Sequence, residues 1–401
     1  GGSTDWLGFD DGTRKIPTGG GTDFPTYSQV IGRPNSPQGL EFQRVLGAFD
    51  KQMGVFRSNS GMDFGASFNF GDQKSVGSKQ LGYNFSLAYK NETKFYEGAE
   101  FGTFGKLSSN INELDRRILQ RGDFGENDVF VSALAGFALK SGSSKYRLNI
   151  LHSQNGNTKA GLYDYISTNR GSNYDAIQHN LEYSQRSLTN LLIAGDHQSV
   201  DNTLRTEWRV SPTYSKIYDP DIRSTRIRND DGNLTIGTES GIPSRIWRSL
   251  DEINVASKID LTKDLAMLSG KDKLKFGGAY TYKTRNYEIQ NFQIIPQGVT
   301  ITEDPNILFQ PENLWPSDDA GFDGTRYEPS FIPFNTNKFD ANVNYGATYV
   351  SGEFGISDNF RAILGLRAEV YQQRYTGINQ QRQSLDNELI LDDLDFFPAV
   401  N

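Results

Sequence analysis

Few residues in this chain of 401 could do chemistry, and their spacing limits what that chemistry would be. Histidine occurs at His152, His179 and His197 only. These lie on different predicted strands, or far apart on one, without the i, i+4 or clustered spacing that turns imidazoles toward a single metal ion. Acidic clusters stand at Asp219 and Asp221, at Asp318 and Asp319, and at Asp392, Asp393 and Asp395. None has the glycine-punctuated ligand series of a calcium loop, so they read as solvated acidic loops. There is no cysteine, hence no thiolate metal site and no disulfide framework. Serine is common, yet G-x-S-x-G, the P-loop and the dinucleotide fingerprint are all missing. The residues therefore give no catalytic assignment, no cofactor and no metal site. The enzymatic alternative is a hydrolase whose triad is assembled from distant residues, since a triad is defined by geometry and not by order in the sequence.

Composition bounds the elements that would carry any site. Aromatics reach 12% and glycine 41 residues, a mixture rich in strand and turn formers. No stretch approaches the eighteen or so consecutive apolar residues of a membrane helix; a membrane barrel, whose strands alternate, leaves no such run. The formal charge of -8, without a long basic block, argues against nucleic acid as a partner.

Alternation is the dominant pattern. Met62, Phe64, Ala66, Phe68 and Phe70 alternate with small and polar residues, and Leu81, Tyr83, Phe85, Leu87 and Tyr89 do the same after a polar turn. Similar runs cover 129–139, 146–152, 177–183 (extendable to 197), 204–214, 253–261, 274–282, 339–349 and 360–370, giving about ten strands. The period of two predicts that Phe64, Phe85, Trp208, Phe276, Val343 and Leu364 share one face. Arg209, Lys275, Asp340 and Arg367 take the other. Pro212 cannot donate to a ladder and predicts a bulge or strand end. Tyrosines at strand ends, namely Tyr89, Tyr214, Tyr280, Tyr282 and Tyr375, fit an interfacial girdle or simply the strand propensity of tyrosine.

A soluble sandwich also alternates, so the connections discriminate. Short turns at 141–144, 200–203 and 357–359 alternate with long excursions at 97–127, 217–249, 286–337 and 376–395. Short turns at one rim and long loops at the other is the layout of an outer-membrane barrel. The reading is an all-β, antiparallel transmembrane β-barrel portion over 61–401, preceded by an extracellular loop region over 1–60. A short helix is predicted in the latter, where Leu40, Val45, Phe49 and Met53 fall at roughly helical spacing. The face bearing Arg209, Lys275 and Arg367 would line the lumen. The 286–337 excursion carries Phe309, Trp315, Phe322, Tyr327, Phe331 and Phe334, which could form a ligand platform or the small core of a self-packed loop. Trp315, Tyr327 and Phe331 are its candidate ligand- or partner-contacting residues.

The opening stretch, "STDWLGFDDGTRKIP", closely resembles a segment early in the barrel of TonB-dependent receptors of the Bacteroidetes group. "RSLDEINVASKIDLTKDL", "GKDKLKFGGAYTYKTRNYE", "FRAILGLRAEVYQQRYTG" and the terminal "DLDFFPAVN" look alike too, in the same order. The resemblance implies a large plugged barrel of roughly twenty-two strands in the outer membrane of a Gram-negative bacterium. Within it, an energised TonB-type partner acts on a plug to admit an external ligand. Nothing before residue 60 reads as a plug and only about ten strands are legible, so the chain would be part of such a barrel, without plug and closing strands. Its implied partners are outer-membrane lipid, the TonB-type protein through that plug, and a surface-exposed partner. A passive porin or adhesin barrel is the alternative. Within the opening stretch, Trp6 is expected to anchor the loop, Arg14 to pair with Asp10 or Asp11, and Gly12 to supply a turn.

Overall fold

The computed structural model describes residues 2–17, 24–106, 108–109, 112–169, 172–265, 272–330, 337–357 and 360–401. Thirteen strands follow in chain order: β1 (Phe64–Val76), β2 (Lys79–Lys106), β3 (Leu114–Ser141), β4 (Ser144–Asn169), β5 (Ser172–Gln198), β6 (Leu204–Asp230), β7 (Asn233–Thr235), β8 (Ser244–Leu265), β9 (Asp272–Gln297), β10 (Gly324–Pro329), β11 (Phe339–Ser357), β12 (Phe360–Ile378) and β13 (Ser384–Val400). All belong to one sheet in which consecutive long strands are neighbours, with β7 added beside the end of β6 and β10 beside the end of β9. Every pairing is antiparallel. Among the described residues the sheet is open: β1 and β13 each keep one unpaired edge.

The strands are far longer than the alternating runs suggest. Both β2 and β3 have 28 residues, which at about 3.3 Å per residue reaches roughly 90 Å. Most of the expected excursions are therefore strand: 97–106 and 114–127 continue the β2–β3 hairpin, and 217–230 continues β6. Alternation fades there because the outer halves no longer divide into a bare apolar face and a wet face, while the backbone ladder needs no such division. The 298–323 connection is the long irregular one that remains. Pro212 lies within β6 with an unbroken register to β8; toward β5 the pairing lapses between Thr213 and Val210 and resumes in the same register. The missing N–H costs a local gap instead of the expected bulge.

Directly paired residues point to the same side of a sheet, so the registers assign the faces. Phe68, Leu87, Ala133, Ile150, Leu191, Val210, Ser257, Tyr280, Val350 and Leu366 fall on one side, with Phe64, Phe85, Trp208, Phe276 and Leu364 among the rest of that series. Arg209, Lys275 and Arg367 fall on the other, as expected. Val343 and Asp340 are corrections: Val343 pairs with Lys283 on the polar side, and Asp340 pairs with Asn286 on the opposite one. On β11 the apolar set Ala341–Val343–Tyr345–Ala347–Tyr349 turns to the polar side, where Ala341 and Ala347 are buried, which inverts the usual signal. Tyr375 also lies on the polar side, opposite Ala341, so it leaves the expected girdle.

Phe64, Phe68, Phe85, Leu87, Ile259, Phe276 and Leu364 are all exposed. No second sheet covers them among the described residues, which removes the sandwich. Farther from the short turns the same side is covered by the main core. There Phe42, Val45 and Leu46 of α2 (Pro37–Gly47), then Phe49 and Met53, meet Trp247, Phe292, Ile294, Leu308, Phe309, Trp315 and Tyr327. Ser36 caps α2 by accepting the Gly39 N–H at 3.0 Å, and Pro37 occupies the first turn, where no amide is missed. Leu40, expected on the apolar stripe, is exposed; Phe49 and Met53 are buried but lie beyond the end of the helix.

Candidate functional site

Three regions gather polar groups in a defined geometry. The first is a hollow on the polar side near the short-turn rim, with a volume of about 630 Å³, lined from β4 across to β11 by residues that include Lys145, Arg205, Lys258, Asp260, Lys275 and Tyr349. Side chains from β4, β5, β6, β8, β9 and β11 border this one space, and the polar side is accordingly termed the concave one. Tyr349 reaches over β9 to donate to Asp260 Oδ1 at 2.8 Å. Arg205 meets Asp196 at 2.9 Å and Glu207 at 3.0 Å, and Lys258 meets Asp260 at 2.9 Å. Cations and anions alternate closely, so the hollow is polar without favouring one sign of charge.

The second is the docking of the N-terminal segment on the convex side. Arg14 is nearly buried between Asp5 (Nη2 to Oδ2, 2.6 Å) and Asp10 (Nη1 to Oδ1, 2.9 Å), with its guanidinium 4.2 Å from the Tyr183 ring centroid. Burial opposes its charge, but the two carboxylates outweigh burial and hold Arg14 above its ordinary value. Gly12 turns at φ +95°. Asp11 does not pair with Arg14; it accepts from Ser3 and from the Thr13 N–H. Tyr89 donates to the Trp6 carbonyl at 2.9 Å, Gln154 donates to the Gly8 carbonyl, the Asp10 N–H donates to Gln185 at 2.9 Å, and Trp247 donates to the Arg14 carbonyl at 2.7 Å. The expected anchor, the Trp6 indole, is instead 58% exposed. The backbone on either side of it makes the attachment.

Gly8 and Gly156 explain how the two backbones approach so closely. A Cβ on Gly156 would stand 2.5 Å from the Gly8 Cα, and Gly8 itself has φ +79°. Gly156→Val is therefore expected to lift residues 2–17 off the sheet while leaving the sheet paired. Limited proteolysis should then cut within this segment, with far-UV circular dichroism unchanged.

A buried ion cluster fastens the chain just after α2. Arg245 donates through Nε to Asp221 Oδ1 at 2.7 Å and through Nη2 to Oδ2, and Arg223 donates to the same Oδ2 at 2.6 Å and to Asp50 Oδ2 at 2.8 Å. Arg245 also lies 5.1 Å from the Phe49 ring centroid and 5.5 Å from that of Phe309. Asp219 is buried against Arg248, 2.7 Å from its Nε. Asp219 and Asp221 are thus not a solvated acidic loop. Asp318 accepts the Phe322 and Asp323 N–H groups at 2.8 Å and shapes a turn.

Trp315 and Tyr327 belong to the main core: the indole N–H donates to the Gly321 carbonyl at 2.9 Å, and Tyr327 stacks on Phe42 with centroids 4.3 Å apart. Both side chains are buried, and they pack against Phe42, Phe49 and Phe292 from outside the 298–323 connection and not only against residues of their own loop. Phe331 lies outside the described residues. His152 hydrogen-bonds to Thr189 at 2.8 Å, and His179 Nδ1 accepts the Val55 N–H at 3.2 Å. His197 lies 3.0 Å from Ser144 Oγ, the spacing of a nucleophile and its base, but its Nε2 accepts the Trp208 indole N–H at 3.0 Å. Indole only donates, so the neutral ring carries its proton on Nδ1 and donates to Ser144. It therefore cannot take the Ser144 proton through that nitrogen. No three acidic or histidine side chains are grouped as a metal site among the described residues.

No protein-family model, curated protein or solved structure matches this chain.

Proposed function

We propose that the chain forms part of the wall of an outer-membrane receptor and transporter, its convex side in lipid and its concave side lining a lumen through which an external ligand is taken up. One observation carries this reading: a belt of uncovered apolar side chains runs across the strands on one side, beginning at the short turns, while the opposite side there is lined mainly by charged and polar residues. Tyr89, Tyr214 and Tyr282 stand ten positions from Lys79, Leu204 and Asp272, where their strands begin. That matches the 9–11 residues a tilted strand needs to cross the hydrocarbon. In water a bare patch of this extent would be an aggregation site.

In lipid the free edges of β1 and β13 would each expose unpaired N–H and C=O groups at several kcal/mol apiece, so further strands pair them in the working barrel. The resemblance of the opening and closing stretches to TonB-dependent receptors supports energised uptake over passive diffusion. Arg209, Lys275 and Arg367 then face the lumen. In the complete receptor, removal of the energising partner is expected to abolish ligand uptake without loss of protein from the outer membrane. Uptake that continues unchanged would make the barrel a passive pore.

A further inference from the structure

We propose that the N-terminal segment is an interfacial collar that lays Trp6 and Phe9 into the headgroup layer of the leaflet nearest the long loops. The proposal rests on the membrane reading above and adds a lipid contact outside the strands. The segment sits on the same convex side as the apolar belt, and the attachment points that flank Trp6 and Phe9 lie at similar distances from the short turns, whereas Trp247, which holds the Arg14 carbonyl, lies farther along its strand. Tyr89, which holds the Trp6 carbonyl, is ten positions from the start of β2. Gln154, which holds the Gly8 carbonyl, is ten from the start of β4, and Gly156, against which Gly8 packs, is twelve. Below these points the side is bare and apolar; above them, over β6, β8 and β9, it is covered by the main core and the chain that follows α2. The segment therefore begins where a strand crossing of 9–11 residues ends.

Trp6 and Phe9 are exposed although the backbone around them is tied down by the Arg14–Asp5–Asp10 cluster and by Tyr89, Gln154 and Gln185. A held tryptophan left bare beside the edge of an apolar belt has the chemistry of the water–lipid boundary: an apolar ring and one N–H donor. Asp5, Asp10 and Asp11 on the same segment favour a zwitterionic over an anionic headgroup surface.

The test uses the protein in phosphatidylcholine vesicles carrying lipids brominated either near the headgroup or near the chain end, which quench tryptophan by depth. Trp247 and Trp315 are buried and form a constant background, whereas Trp208 lies four positions into β6 on the belt side. Trp6→Phe is expected to remove most of the shallow quenching and leave the deep quenching intact; Trp208→Phe should remove the deep quenching. If Trp208→Phe behaves so but Trp6→Phe changes nothing, or if Trp6 is quenched by the deep lipid, the collar is wrong and the membrane wall stands. If neither substitution alters quenching, both readings fall.

Discussion

Asp221→Asn is expected to cost about 3–5 kcal/mol of folding stability, the loss that follows when one partner of a buried ion cluster is removed and the other charge stays behind. Here Asp221 is the carboxylate partner of Arg245 and is shared with Arg223, whose other carboxylate is Asp50, and both arginines are buried. Asparagine keeps the side-chain shape and tolerates the φ of +58° at this position, so the change isolates the charge. The two arginines also donate to the carbonyls of Asp50 and Gln52, so loosening should spread to the end of α2. Urea unfolding in lipid vesicles measures the loss, and proteolysis near residue 52 locates it. A loss under about 1 kcal/mol would mean that the cluster is hydrated and contributes as a surface pair does.

Leu364→Arg should cost about 2–4 kcal/mol, the range for a basic side chain placed at the midplane on the lipid side of a barrel. Leu364 is exposed on the convex side, four positions into β12, near the middle of the proposed crossing. Arg367→Leu, on the same strand but the concave side, should cost far less, because Arg367 gives up only its contacts with Glu369 and the Tyr345 hydroxyl. Equal losses would mean that the two sides meet the same solvent.

How much of this was legible in the sequence follows from the range of each interaction. The alternation of 81–89, 204–214, 274–282 and 360–370 records what lies directly above and below each strand, so the faces of Phe85, Trp208, Lys275 and Arg367 could be read from it. The outer halves of β2, β3 and β6 could not, because a backbone ladder leaves no side-chain period once both faces are polar or covered. Val343 misled for the reverse reason: β11 turns small and aromatic residues toward the hollow. In the N-terminal segment the local pair of Arg14 with Asp10, four residues apart, was within reach of spacing. Gln154, Gln185 and Trp247, which hold the segment down, lie far along the chain and carry no local mark. The Asp219–Asp221 pair looked solvated because Arg245 and Arg248, two of the three arginines that bind it, are supplied across the sheet by β8.

The division into lipid and lumen sides is most directly tested by a cysteine scan along β12, which the absence of native cysteine makes clean. Single cysteines at positions 364 to 369, in the membrane-embedded protein, would be probed with a water-soluble maleimide and, after spin labelling, for contact with lipid-dissolved oxygen. The proposal predicts strict alternation: 365, 367 and 369 react with the maleimide, while 364, 366 and 368 resist it and collide with oxygen. Equal maleimide reactivity at all six positions would contradict a sheet with one side in lipid.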